Sequence, residues 1–356
     1  MHLVSRCLIH QQATITANEA RIRALHDAVG DPTSLSLNQW VHFHALALEY
    51  QPDLFIEIGR GYGNSTVAFV EALHHYNPQG RVFSMCLSDS WDTRTLPRLQ
   101  AFLPEKWFEP LEAPIVDIRE LDFASLIGDA RRVLVLWDAH GLVVADCVLS
   151  RLLPHLVDRE HFVVMHDISD GRYCGNTLDY QGKPFWRGQE AGWSDETARL
   201  RLGWIDTVVE QTLPALDFLT RNRHELSSAD HFVKTEISRN PEMLGQLRKA
   251  YPEGFFDDVN HWAFFSLNDT AGPYTFPAYQ AEPGAPPELV PYAAVKAQPP
   301  RPPEPHFVNP NPASTRPPTM GEQVHVDLRR STLFGMRTPL TYARIFAKIL
   351  AGRYAL

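Results

Sequence analysis

The chain has 356 residues, of which 44% are hydrophobic, 21% charged and 11% aromatic, a composition that excludes global disorder and suits a large buried core. The formal net charge is −9 and no run of basic residues marks a phosphate-tracking face, which argues against nucleic acid as a partner. No C-x-x-C pair occurs and no apolar stretch reaches the ~18 residues of a membrane span. We therefore expect a cytoplasmic protein that has no disulfide framework, no thiolate zinc site and no membrane partner.

The N-terminal fifty residues are predicted to be helical. Apolar residues recur at helical spacing over 17–29 and 36–50. Ser36 and Gln39 form a capping box at the start of the second segment. We expect residues 1–50 to form a helical cap.

The next two hundred residues alternate between strand and helix patterns. Predicted strands are 53–58, 81–87, 113–116, 133–138, 161–167, 217–224 and 261–267, and predicted helices are 64–76, 93–102, 142–156 and 195–213. Alternation of this kind predicts an α/β fold, a doubly wound Rossmann-like parallel sheet with helices on both faces. We place this domain at 51–272.

A long irregular segment and a proline-rich segment interrupt this order. Residues 171–195 have no clear period and contain the aromatic residues of a candidate lid, namely Tyr173, Tyr180, Phe185, Trp186 and Trp193. Of the 28 prolines, 15 lie between 273 and 318. This predicts an extended linker or strap over 273–320, followed by a helical tail over 321–356 that could join two copies of the chain.

A glycine-rich loop follows the first strand. The sequence EIGRGYGNS places Glu57, Gly59, Gly61 and Gly63 between a predicted strand and a predicted helix. Glycines at such a turn let a ligand approach the backbone closely. Their alternation, with an acid two residues before the first, differs from the G-x-G-x-x-G dinucleotide fingerprint.

This loop resembles motif I of the class I S-adenosylmethionine (SAM)-dependent methyltransferases, E/D-x-G-x-G-x-G. The resemblance covers residues 53–267 and implies a seven-stranded sheet whose last strand is antiparallel. It implies that Glu57, Gly59, Gly61 and Gly63 hold the methionine part and ribose of SAM.

The same resemblance implies two further cofactor contacts. Cys86 stands where the family usually has the acid that takes the ribose hydroxyls, so Asp89 is the candidate substitute. Asp117 follows the third strand, near the expected adenine position. Both carboxylates could instead be solvated loop residues.

Two aspartates end successive buried strands, Asp138 and Asp167. If the strands are neighbours, the carboxylates lie together at the carboxyl edge of the sheet, where α/β proteins bind ligands. Two acids there favour a divalent cation between them, and His140 and His166 flank the pair. The alternative is that each aspartate caps the helix that follows it.

This arrangement is similar to the metal-dependent O-methyltransferases, including the macrolide-sugar and cephalosporin-pathway group, whose acids after the fourth and fifth strands bind magnesium. Ile168 replaces the second acid or amide of that family, so Asp170 or His166 would complete the shell. We assign the metal, expected to be Mg²⁺, to Asp138, Asp167 and Asp170. His140 is the expected general base and His166 the alternative base or a ligand.

The resulting prediction is a SAM-dependent O-methyltransferase that acts on a hydroxylated small molecule or sugar. Two alternatives stay open. One is a hydroxylase-like metal enzyme on the same fold, as in the cephalosporin-pathway relatives. The other is a degenerate methyltransferase fold that serves as a scaffold, suggested by Cys86, Ile168 and the proline-rich tail.

Overall fold

A computed structural model describes residues 1–30, 35–166, 211–212, 214–260, 262–268 and 273–279. Seven strands form one sheet in the order β3-β2-β1-β4-β5-β7-β6. Their bounds are β1 Leu54–Ile58, β2 Arg81–Met85, β3 Leu111–Glu112, β4 Arg132–Trp137, β5 Glu160–His166, β6 Ser227–Ser228 and β7 Trp262–Phe265. Strand β7 runs antiparallel to β5 and β6, and the other described strand pairs are parallel. This confirms the predicted mostly parallel sheet.

The third strand is shorter than predicted. Only Leu111–Glu112 pairs as a strand, while the predicted segment 113–116 contributes a single bridge between Ile115 and Cys86. Pro114 explains the difference, because proline has no backbone N–H to donate and interrupts a ladder.

Helices cover both faces of the sheet. Their bounds are α1 Leu3–His10, α2 Gln12–Ala17, α3 Glu19–Val29, α4 Leu37–Tyr50, α5 Asn64–Tyr76, α6 Leu96–Gln100, α7 Phe123–Ile127, α8 Leu142–Cys147, α9 Ala229–Val233 and α10 Pro241–Ala250. The capping box at Ser36 and Gln39 is present, as predicted. Helices α1 and α2 lie within the predicted helical cap but outside the two helices predicted in it, and Val4, Cys7 and Ile15 are fully buried there.

Short 3₁₀ and π-helical segments interrupt two of the predicted helices. A π-helical turn at Trp91–Thr95 precedes α6, and α8 continues through a π-helical turn at Val148–Leu152 into a 3₁₀ turn at Leu153–His155. The predicted helices over 93–102 and 142–156 are therefore confirmed in position but are not uniform α-helices.

One predicted strand is wrong. Residues 217–224 were expected to form a strand, but the chain is helical over 214–221. Ala215, Phe218 and Leu219 are buried, and their spacing of three and four residues is that of one helix face. The outer strand is instead Ser227–Ser228.

Successive side chains of a strand point to opposite faces of the sheet and so pack into two separate hydrophobic cores. In β1, Phe55 packs into the core beneath α1, α4 and α5, whereas Leu54, Ile56 and Ile58 pack into the core beneath α7 and α8. This two-sided burial explains why the strand is apolar at almost every position. The exception is Glu57, a fully buried carboxylate.

The start of the proline-rich segment packs on the domain. Tyr274, Phe276 and Tyr279 contact the second core. The rest of 273–320, the predicted tail over 321–356 and most of the predicted helix over 195–213 lie outside the described residues, so the domain boundaries and the oligomer stay predictions. None of the described helices is long and apolar enough to span a membrane.

Candidate functional site

The glycine-rich loop is tied to the carboxyl ends of three adjacent strands. The Gly59 and Arg60 N–H groups both donate to the Met85 carbonyl at the end of β2, at 3.0 and 3.1 Å. The Asp138 N–H donates to the Ile58 carbonyl at 2.8 Å. Because β1, β2 and β4 are parallel, these bonds place the loop at the edge where α/β sheets bind ligands.

The loop glycines meet different surroundings. Gly59 has φ +100°, and a β-carbon there would overlap the backbone of Asp138. A β-carbon on Gly63 would overlap the Trp91 ring. Gly61 has φ +53°, and a β-carbon there would meet no atom of the described residues within 4 Å. Two glycines are therefore required for close packing inside the protein, and Gly61 borders open space that a ligand can enter.

Glu57 lies beneath this loop and is fully buried. Its carboxylate accepts hydrogen bonds from the hydroxyls of Ser65, Thr66 and Ser84. Burial raises its pKa, and the three hydroxyls act in the opposite direction. Glu57 thus links β1, β2 and the first turn of α5, and its contact with a cofactor stays a prediction.

Arg60 is a feature that the sequence analysis missed. The residue is 3% exposed, and its guanidinium donates to the Ser84 carbonyl. Its Nε and Nη2 atoms are buried without a hydrogen-bond partner among the described residues. Burial lowers the pKa of Arg60. A charged residue between two loop glycines gives no sequence signal that it turns inward.

The two other predicted cofactor residues lie at neighbouring positions of the same edge. Asp89 follows β2 and is partly buried, and its backbone carbonyl accepts from Thr93 at 2.9 Å. Asp117 is 6% exposed and forms an ion pair with Arg119, with 2.6 Å between Oδ2 and Nη2. Asp117 is therefore not a solvated loop carboxylate, and both cofactor contacts stay predictions.

A carboxylate and a histidine meet across the ends of β4 and β5. The register pairs Trp137 with Met165, so Asp138 lies level with His166. The His166 Nδ1 and Asp138 Oδ1 atoms are 3.2 Å apart. The histidine side chain is 4% exposed and that of Asp138 23% exposed. The strands are neighbours as predicted, whereas Asp167 lies outside the described residues.

His140 has a partner from a distant part of the chain. Its Nδ1 lies 2.5 Å from Oε1 of Gln211, which is fully buried. His140 itself is only partly buried. No sequence pattern joins residues that are 71 positions apart, so Gln211 was not among the predicted site residues.

The described residues do not form a metal site. No group of three or more His, Cys, Asp or Glu side chains in the described ranges could hold a metal ion. Of the three predicted ligands only Asp138 is described, and its Oδ1 bonds to His166. Asp170, like Asp167, lies outside these ranges, as does the predicted lid over 171–195.

Comparison with known proteins returns structural neighbours only, since no family model and no curated protein matches. A Podospora anserina methyltransferase, PaMTH1 bound to SAH, is 12% identical over 60% of this chain and 89% of its own, with a TM-score of 0.39. The O-methyltransferase TomG from Streptomyces achromogenes, in complex with SAM, is 19% identical over 44% and 68%, with a TM-score of 0.32. A putative caffeoyl-CoA O-methyltransferase from Staphylococcus aureus is 11% identical over 62% and 93%, with a TM-score of 0.40.

The sheet itself carries the conclusion on the fold. It has seven strands, the last strand in sequence is antiparallel, and the glycine loop joins β1 to α5 at the carboxyl edge. These are the features that the motif I resemblance implied. The chain therefore has the Rossmann-like fold of the class I SAM-dependent methyltransferases.

Proposed function

We propose that this chain transfers a methyl group from SAM to a hydroxyl group of a small molecule or sugar. One observation carries the proposal: Gly59 of the glycine loop packs directly on the backbone of Asp138, whose side chain bonds to His166. A loop suited to the methyl donor and a group suited to proton transfer thus share one edge of the sheet.

The loop fits the donor. Open space beside Gly61 is what a ligand needs in order to approach the backbone closely. Gly59, Gly61 and Gly63 would hold the methionine part and ribose, and Glu57 would fix the loop from beneath. Asp89 and Asp117 are the candidate contacts for the ribose and adenine. SAM supplies a methyl group already activated on a sulfonium, so the protein must align the acceptor and remove its proton.

Burial separates the roles of the two histidines. His166 is buried beside Phe43, with 6.1 Å between the ring centroids, and it orients the carboxylate of Asp138. His140 is only partly buried, so it is the histidine that an acceptor can reach. As the hydroxyl oxygen bonds to the methyl carbon and the carbon–sulfur bond breaks, His140 takes the hydroxyl proton. The Asp138 carboxylate, which contacts His166, adds negative charge to this edge of the sheet.

Assistance by a divalent metal is a separate part of the proposal, because Asp138 alone of the three predicted ligands lies among the described residues. The predicted site at Asp138, Asp167 and Asp170 is tested directly by measuring methyl transfer after chelation with EDTA and after adding back Mg²⁺. Recovery with Mg²⁺ would support the metal-assisted form of the proposal.

Calorimetry with the full-length chain tests the donor first. We expect SAM and its demethylated product to bind with micromolar affinity, and absence of binding at millimolar concentration would overturn the proposal. Transfer of labelled methyl groups to a panel of hydroxylated compounds then tests the reaction. Activity that requires oxygen and a reductant instead of SAM would favour the hydroxylase-like alternative, and binding without turnover would favour the scaffold.

A further inference from the structure

The side chain of Gln211 is placed where it can determine which ring nitrogen of His140 carries a proton. Gln211 is fully buried, and its Oε1 lies 2.5 Å from Nδ1 of His140. Its own Nε2 has no hydrogen-bond partner among the described residues. His140 is therefore the described group that anchors the amide, through the amide oxygen.

An amide oxygen only accepts hydrogen bonds, so the ring nitrogen that faces it must carry a hydrogen. A neutral imidazole with its hydrogen on Nδ1 has its lone pair on Nε2. We infer that Gln211 is a positioning residue, which holds His140 as the Nδ1–H tautomer and presents Nε2 as the proton acceptor. This inference rests on the proposed function for the use of that lone pair, but not for the tautomer itself.

The two histidines of the site have different described contacts. His166 faces the Asp138 carboxylate, whereas Nδ1 of His140 faces the amide oxygen of Gln211. A change at Gln211 should therefore alter the signals of His140 rather than those of His166.

Long-range ¹H–¹⁵N spectra of the full-length chain with labelled histidine distinguish the tautomers at neutral pH. The His140→Phe variant identifies the His140 signals. We expect a pyrrole-type Nδ1 and a pyridine-type Nε2 for His140 as one dominant species. The opposite tautomer, or the averaged mixture of a free imidazole, would overturn the inference.

Two substitutions link this signature to Gln211. In Gln211→Leu, which keeps the size of the side chain but has no acceptor, the single Nδ1–H species should be lost. In Gln211→Glu, which keeps an acceptor oxygen but adds a negative charge, Nδ1 should again carry a hydrogen, in the neutral or in the fully protonated ring. The His166 signals serve as an internal control because their partner is Asp138. An unchanged His140 tautomer in a folded Gln211→Leu chain would contradict the inference. If that variant does not fold, the wild-type tautomer alone decides.

These measurements need no cofactor and no acceptor. Failure of SAM to bind would overturn the proposed function and leave the tautomer result intact. Conversely, SAM could bind to a chain whose His140 carries its proton on Nε2, which would overturn the role of Gln211 alone.

Discussion

The two halves of the carboxyl edge are built differently. At the ends of β1 and β2, the charged side chains of Glu57 and Arg60 are buried, and a ligand would meet backbone beside Gly61. At the ends of β4 and β5, the side chains proposed to act on the acceptor, Asp138 and His140, are partly exposed. Changes in the first half should therefore alter stability and donor binding together, whereas changes in the second should alter catalysis with little effect on stability.

The largest effect is expected at Gly59. In Gly59→Ala, the new β-carbon overlaps the Asp138 backbone, and φ +100° lies outside the regions that alanine prefers. We expect a loss of about 3 kcal/mol in the free energy of unfolding and loss of SAM binding, measured by urea unfolding and calorimetry.

Gly245→Ala is the matched control for this substitution. Gly245 lies in α10, and a β-carbon there meets nothing within 4 Å. Alanine in a helix interior should stabilise the chain by up to about 1 kcal/mol. Equal stability of the two variants would show that the loop can shift away from Asp138.

Glu57→Gln tests the buried carboxylate of the first half. The substitution leaves one acceptor oxygen for three hydroxyls, so we expect a loss of about 1–3 kcal/mol in unfolding free energy at neutral pH. Burial raises the pKa of Glu57 above its ordinary 4.5, so the wild-type carboxyl contributes more stability when protonated. The unfolding free energy of the wild-type chain should therefore increase relative to that of Glu57→Gln as pH falls from neutral toward 4.5.

Glu71→Gln should show a different pH dependence. Burial alone would raise the pKa of Glu71, but hydrogen bonds from Arg21 and Trp107 lower it overall. Its contribution to stability is therefore complete above its ordinary pKa of 4.5 and is lost only as pH falls further. If both variants gave the same profile between neutral pH and 4.5, the assigned role of Glu57 would be wrong.

Most of the site residues at the ends of β1 and β2 could be predicted from the sequence, but only some of those at the ends of β4 and β5. Glu57, Gly59 and their neighbours act within a short stretch of chain, and local spacing is visible in a sequence. Gln211 reaches His140 from 71 positions away, and such a contact depends on how the chain returns to the sheet. Likewise, the helix at 214–221 was taken for a strand because a short apolar run does not distinguish the two periods.

Gly61→Ala separates ligand binding from stability within the first half. At φ +53°, alanine should cost about 1–3 kcal/mol of stability, and no described atom lies within 4 Å of the new methyl group. Because that methyl would occupy the space beside the loop, we expect SAM affinity to fall at least tenfold in calorimetry. Gly128→Ala has a nearly identical φ of +52° after α7 and should lose the same stability without a change in affinity. Unchanged SAM binding in Gly61→Ala would place the donor elsewhere.

The smallest effect on stability is expected at Asp138. In Asp138→Asn, the amide oxygen can still accept from His166, so the unfolding free energy should change by less than about 1 kcal/mol. The negative charge of the Asp138–His166 pair at the proposed acceptor site is lost, so methyl transfer should fall by about 10² or more while SAM binding is kept. Asp122→Asn is the control, since Asp122 caps α7 and asparagine caps equally well. Full activity in Asp138→Asn would remove Asp138 from the mechanism. Unfolding of that variant would instead show that the second half of the edge is as structural as the first.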